Sequence, residues 1–541
     1  MDLQAIKFNR ARVRLWGGRL AGLALGLGGL LVVELGLQAV GAGPSNRLFL
    51  AGADGYSINP QAAHRFFQHQ YVRHSPVQER FALDKPEGTF RVFVLGASTL
   101  IGYPNPPATG FPHFLQLMLA DRFPGRSFEV VNCGITAINS FCLLDFVDEI
   151  LQHQPDLVLV YSGHNEFVGP YGVTTPFLRL GNDRDWIRFH MRLQRSKIYY
   201  FLKEGIYRLQ RWIGPAADSP AFGPVLVQQE VYPSSPEHRI TEANYRANLE
   251  ELTFKIQARG VPVALATLAA NLAGYHPLRS QAPHPQGAKS LDIGQHRDLL
   301  RAYPHHAGVH FAAGRAFLAA GAADTARALL GRARDLDGIH FRACAPFNRI
   351  IREVAAESGA LLVDAEGLFD RAAAGGVVGD KLMTDYLHPT VEGHFLLAGE
   401  IVKAMPQSLG LTGVDLGELA SFDQYCQRLG YTLQEQVHYR NDLILLLSSL
   451  PYEERPPVLE GRLAVLIQRQ LSQVLKLSYA EIIHFARRGG FDFLQRTIDQ
   501  LSPVLQGGLS YQLQQVVKPL GLEKGLDTPN PGPAKIVGPG R

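Results

Sequence analysis

An alternation of short apolar runs with stretches of helical periodicity constrains this chain more tightly than any other feature. It begins at Arg91–Gly96 (RVFVLG), a buried strand bounded by glycine, and passes to Phe111–Phe123, where apolar residues recur at helical spacing. A second strand, FEVVNCG, starts at Phe128 and is followed by a helical run from Ser140 to His153. Pro155 then opens DLVLVYSG, the most strongly apolar strand; later EANYRANLEELTFKIQARG leads into VPVALATL, and REVAAESG into ALLVDA. Strands separated by helices are joined by right-handed crossovers, which yields a parallel sheet covered on both faces. The expected fold class is α/β, a doubly wound five-stranded parallel sheet with a flavodoxin-like order as its analogue.

At 541 residues the chain exceeds one ordinary core, so several units are expected. Residues 1–43 form a basic N-terminus and an apolar segment, and 44–88 an irregular lead-in rich in Pro, Gly, His and aromatics. The sheet domain is placed at 89–410. It is interrupted at 168–240, which is aromatic-rich, and at 300–340. Within the latter, 305–337 resembles one tetratricopeptide-type helical hairpin, with Ala at the crossing positions and a Gly turn. A single such unit cannot stack into a solenoid. From 411 to 525 the pattern is helical only, and 526–541, rich in Pro and Gly, reads as a disordered tail.

Lys7, Arg10, Arg12, Arg14 and Arg19 precede the run LAGLALGLGGLLVV. The formal net charge of +4 owes much to this cluster, so the remainder carries little electrostatic footprint and nucleic acid is disfavoured as a partner. Leu20–Gly43 is long enough for a spanning helix, which needs about 20 residues. The basic flank would stay in the cytoplasm and the rest of the chain outside, a single-pass topology at the cytoplasmic membrane. Glu34 is the flaw, because a carboxylate in the bilayer core is costly. Two rivals remain open: a cleaved signal sequence, with Val40-Gly41-Ala42 as a small-residue site, and a buried soluble helix.

Cys133, Cys142, Cys344 and Cys426 lack metal-ligand spacing and read as small buried apolar residues, with an unassigned disulfide the alternative outside the cytoplasm. His306 and His310 lie one helical turn apart, and His305 is adjacent, but no carboxylate or cysteine cluster accompanies them; no metal or other cofactor is expected.

Three short segments carry chemistry. Gly96-Ala97-Ser98 ends the first strand, where open α/β sheets place their ligand sites, and a helix starting there would aim N–H groups at the same point. Gly163-His164-Asn165-Glu166 ends the third strand and offers an amide that can face an oxyanion. Asp385-Tyr386-Leu387-His388-Pro389 lets one short loop present a carboxylate and an imidazole to the same serine. Each alone has a plain structural reading: an N-cap, a turn asparagine, a capping loop.

In this order the segments resemble the SGNH/GDSL hydrolase superfamily, over roughly residues 90–165 and 375–403. That resemblance implies Ser98 as nucleophile, with His388 and Asp385 as base and acid. It implies an oxyanion hole from Ser98, Asn165 and a second block read in VNCGITAINS, where Gly134 and Ala137 are the candidates. Departures are Ala97 where the family has Asp, Glu166 where Asp often follows, and Ala137 where a glycine is usual. The absence of a GxSxG elbow at Ser98 separates it from the α/β-hydrolases. The implied activity is a serine esterase acting on an ester, such as an O-acetyl group, of a cell-envelope carbohydrate or lipid. Partners would be that small-molecule or polysaccharide ester, the membrane through the N-terminal helix, and a protein if the helical regions serve binding. An O-acyltransferase on surface polysaccharide and a non-catalytic envelope scaffold are the alternatives.

Overall fold

The computed structural model describes residues 3–45, 47–67, 79–175, 181, 183–213, 229–281, 292–408, 419–449, 457–501 and 503–518. The expected disordered tail at 526–541 lies outside the described residues.

Five parallel strands, β4 to β8 in chain order, form the central sheet: β4 Thr89–Gly96, β5 Ser127–Asn132, β6 Leu157–Tyr161, β7 Val263–Ala266 and β8 Leu361–Val363. Their spatial order is β5-β4-β6-β7-β8. Numbered within the sheet this is 2-1-3-4-5, the flavodoxin-like doubly wound order. Every residue of β4 and β6 is buried, which is why both read as continuous apolar runs rather than alternating ones. Helix Phe111–Arg122 packs with Val391–Ser408 on one face; Ser140–Ile150, Pro236–Gln257 and Ala345–Ser358 cover the other. The chain leaves β4 for β5 on one side and returns to β6 on the other. The topological switch point, where such sheets place their ligands, therefore lies at the carboxyl end of β4.

Arg91 is the charged exception inside β4. Its guanidinium donates to Glu129 at 2.7 Å and to the carbonyls of His153 and Ala82, so the buried charge is paired and hydrogen-bonded.

The lead-in is more ordered than its composition suggests. β1 Phe49–Gly52, β2 Gly55–Ile58 and β3 Arg80–Phe81 make an antiparallel sheet. Tertiary contacts build it: the Glu149 carboxylate accepts from the Leu48 and Phe49 N–H groups, and the Phe49 and Phe81 rings pack on Phe93. Strands this short leave no periodicity to read.

The two insertions are helical. Arg184–Leu193 and Lys197–Ile213 come from the aromatic-rich segment, whose residues 176–180, 182 and 214–228 lie outside the described ones. Ala307–Ala319 and Ala323–Asp335 form an antiparallel pair, Gly314 passing against Leu330. A small apolar cluster that includes Leu272, Ala273, Phe317 and Leu330 docks the pair on the sheet domain. Beyond residue 418 all described elements are helices, from Phe422–Arg428 to Pro503–Val517, and they join the same core as the sheet. Phe395 meets Phe422 and Tyr425, and Arg428 pairs with Asp121.

Helix Leu3–Ala39 contains one segment, Ala21–Ala39, long and apolar enough to cross a membrane, with none of it buried by the protein. The buried-helix reading is therefore set aside; membrane span and signal sequence both fit. The helix stops at Ala39 and not at Gly43, since Gly41 takes a left-handed conformation.

Candidate active site

Ser98 sits immediately beyond the carboxyl end of β4, at the switch point of the sheet. Gly96 is required one step earlier because a Cβ there would collide with the Tyr161 carbonyl of the neighbouring strand. A helix was expected to begin at Ser98. The structure gives a single turn, Ser98–Ile101, closed by Gly102 with φ +88°.

The segment 385–389 forms a pinned loop. Thr384 N–H donates to the His388 carbonyl at 2.7 Å, and Met383 bridges to Pro389. Asn105 Nδ2 holds the Pro389 carbonyl, and Tyr275 Oη donates to the Thr384 carbonyl. In this loop His388 Nε2 lies 2.7 Å from Ser98 Oγ, and His388 Nδ1 lies 2.6 Å from Asp385 Oδ2. The other carboxylate oxygen of Asp385 accepts the N–H groups of Leu387 and His388, both at 2.8 Å. Burial alone would raise the Asp385 pKa, but His388 and these N–H donors outweigh it and hold the carboxyl below its ordinary value. Residues 98, 385 and 388 are all buried. The Tyr103 ring stands edge-on to the His388 imidazole, centroids 5.2 Å apart. Nothing in the sequence pattern marked this tyrosine, which reaches the histidine only through the fold.

The candidate oxyanion donors differ in availability. Gly134 N–H is engaged with Asn132 Oδ1 at 2.9 Å, and a Cβ on Gly134 would stand 2.9 Å from that same oxygen. Ala137 has φ +62°, the left-handed region that favours glycine, and its N–H donates to no group among the described residues. Ser98 N–H is likewise unengaged among them. Asn165 Nδ2 donates one hydrogen to the Ile138 carbonyl at 3.0 Å, which fixes the amide and leaves its second hydrogen free. Ser98, Ala137 and Asn165 thus retain donors, whereas Gly134 has given up its own.

Glu166, next to Asn165, is buried and receives Ser140 N–H at 2.9 Å and Ser140 Oγ–H at 2.7 Å. It ties the third block to the first turn of helix Ser140–Ile150. Burial raises its pKa to about 7 despite these bonds. His164 accepts the Ala343 N–H on Nδ1, and burial followed by the nearby His388 lowers its pKa to about 3, so it is neutral.

The histidines at 305, 306 and 310 do not gather with cysteines or carboxylates: His306 caps its own helix through Val309 N–H, and His310 Nε2 donates to the Pro304 carbonyl. All four cysteines are buried thiols.

No protein-family model matches this sequence, and no curated protein does. Solved structures with a partial likeness include a variant of Axe2, an acetyl-xylooligosaccharide esterase from Geobacillus stearothermophilus, at 15% identity over 60% of this chain and 96% of that one, TM-score 0.31. A second is the psychrotrophic esterase EstA from Pseudoalteromonas sp., at 14% identity over 59% and 98%, TM-score 0.28. A third is the lipase/acylhydrolase from Enterococcus faecalis, at 14% identity over 61% and 99%, TM-score 0.29. Overlaps this loose leave the fold to rest on the strand order above.

Proposed function

We propose that the chain is a serine esterase of the SGNH/GDSL type, working by acyl transfer through Ser98. The observation that carries this reading is the continuous hydrogen-bonded line Asp385–His388–Ser98 at the switch point of the sheet. His388 Nε2 takes the Ser98 proton as Oγ attacks the ester carbonyl, and Asp385 holds Nδ1–H in the matching tautomer. The tetrahedral oxyanion is met by Ser98 N–H, Ala137 N–H and the free hydrogen of Asn165. Collapse expels the alcohol, which receives the proton from His388, and leaves an acyl-Ser98. Water then enters by the same steps in reverse.

The N-terminal helix is read as a retained anchor with the catalytic domain outside the cytoplasmic membrane. Support comes from Glu34, whose carboxylate accepts the N–H groups of Lys197 and Ile198 and the Ser196 hydroxyl. Removal of the chain before residue 43 would strip the first turn of Lys197–Ile213 of that acceptor. A tethered enzyme suits an O-acyl ester of an envelope saccharide or lipid.

Pre-steady-state hydrolysis of an activated acetyl ester tests the reading. A burst of alcohol of about one equivalent per chain is expected from wild type and none from Ser98→Ala. Loss of the burst from folded wild type would count against an acyl-enzyme. Repeating the turnover with a saccharide acceptor separates the hydrolase from an O-acyltransferase, which would give acylated saccharide in preference to free acid.

A further inference from the structure

Away from the triad, three side chains of metal-ligating type meet inside the protein. His238, His340 and Cys344 are each buried, and one ligand atom from each lies within 4.8 Å of the others. His238 occupies the first turn of helix Pro236–Gln257, Cys344 precedes helix Ala345–Ser358, and His340 lies on the connection between helical hairpin and helix. Cys344 Sγ is 3.7 Å from His238 Nε2. A tetrahedral site with bonds of about 2.0 Å to nitrogen and 2.3 Å to sulfur puts those atoms about 3.5 Å apart.

The far nitrogens are placed as ligating imidazoles need. His340 Nε2–H donates to the Val231 carbonyl at 3.0 Å, which leaves Nδ1 as the lone-pair nitrogen, buried and without a hydrogen-bond partner. Glu242 Oε1 lies 2.8 Å from His238 Nδ1, which leaves Nε2, the nitrogen nearer Cys344, on the side of the cluster. Carbonyl and carboxylate partners of this kind fix the tautomer of metal-bound histidines. Charge also balances: a thiolate and the Glu242 carboxylate offset a divalent cation, while the neighbouring Arg334 is paired with Asp335 and Glu366. Without a cation, the His340 nitrogen is a buried acceptor with nothing to accept.

We infer that His238, His340 and Cys344 bind a thiophilic divalent cation of the zinc type. Its work is structural. It clamps helix Pro236–Gln257 to the connection 337–344, and that connection supports the third sequence block: the Phe167 ring stacks on His340 at 4.2 Å, and Ala343 N–H holds His164.

The test is metal analysis of the full-length protein, purified without chelators, followed by exchange into cobalt(II). About one equivalent of zinc and a thiolate-to-cobalt absorption band in the near ultraviolet are expected. The band should vanish in Cys344→Ala and in Cys344→His, the latter keeping its bound metal, and should persist in Cys133→Ser. Folded wild type that takes up less than about a tenth of an equivalent of zinc or cobalt would overturn the assignment, since a site of this kind binds stoichiometrically. So would a band that survives Cys344→His.

Discussion

Ala137 is held at φ +62°, where a Cβ costs roughly 1–2 kcal/mol, and its N–H is unengaged among the described residues. Ala137→Gly should relieve that strain and raise stability by up to about 1 kcal/mol with activity preserved, as read by thermal melting and steady-state kinetics. Asn165→Ala removes a positioned donor and should lower kcat by about 10²- to 10³-fold with a much smaller change in KM. Glu166 supplies a pH test. Its folded pKa, about 7, lies above the ordinary 4.5, so the folded state binds a proton that the unfolded chain releases between those values. Its contribution is complete below about pH 4.5 and is lost as pH rises toward and through 7. In Glu166→Gln the fall in melting temperature over that window should be shallower than in wild type. The spacing singles out Ser98, Asp385 and His388, which the fold brings into one hydrogen-bonded line, but it does not say which second-block N–H is free. That depends on the Asn132 side chain taking up Gly134, a contact no local pattern encodes.

Among elements, β4, β6 and β7 are legible because burial on both faces makes each an apolar run, whereas β5 and β8 are buried only in part and are read from their place in the alternation with helices. The lead-in sheet was not, because strands of two to four residues exist only through Glu149 and the Phe49–Phe81–Phe93 packing. Glu34 likewise looked like a defect in an apolar helix until its partners appeared, on a helix distant in sequence. Glu34→Ala should speed amide exchange at Lys197 and Ile198 by about 10- to 100-fold, since hydrogen bonds to a charged acceptor contribute about 1.5–3 kcal/mol. Unchanged exchange at those two amides would break the proposed link between anchor and catalytic domain.

For the whole molecule, the helices beyond residue 418 close over the same core as the sheet instead of forming a separate body. Arg462 reaches back to pair with Asp380 at 2.7 Å and lies over the Tyr275 ring, the residue that steadies the 384–389 loop. The sequence marked these helices by their periodicity and left their docking unread, because shared burial is a property of two surfaces and not of one segment. A shared core should unfold as one cooperative calorimetric transition; two separated transitions would mean that the helical unit stands alone. Whether Ser98 is a nucleophile activated by the Asp385–His388 loop is decided by labelling the full-length protein with a serine-directed fluorophosphonate and locating the adduct by peptide mass spectrometry. A single adduct on Ser98 is expected, one that disappears in Ser98→Ala and forms far more slowly in His388→Ala. Folded wild type that stays unlabelled, or that is labelled equally in Ser98→Ala, would contradict it.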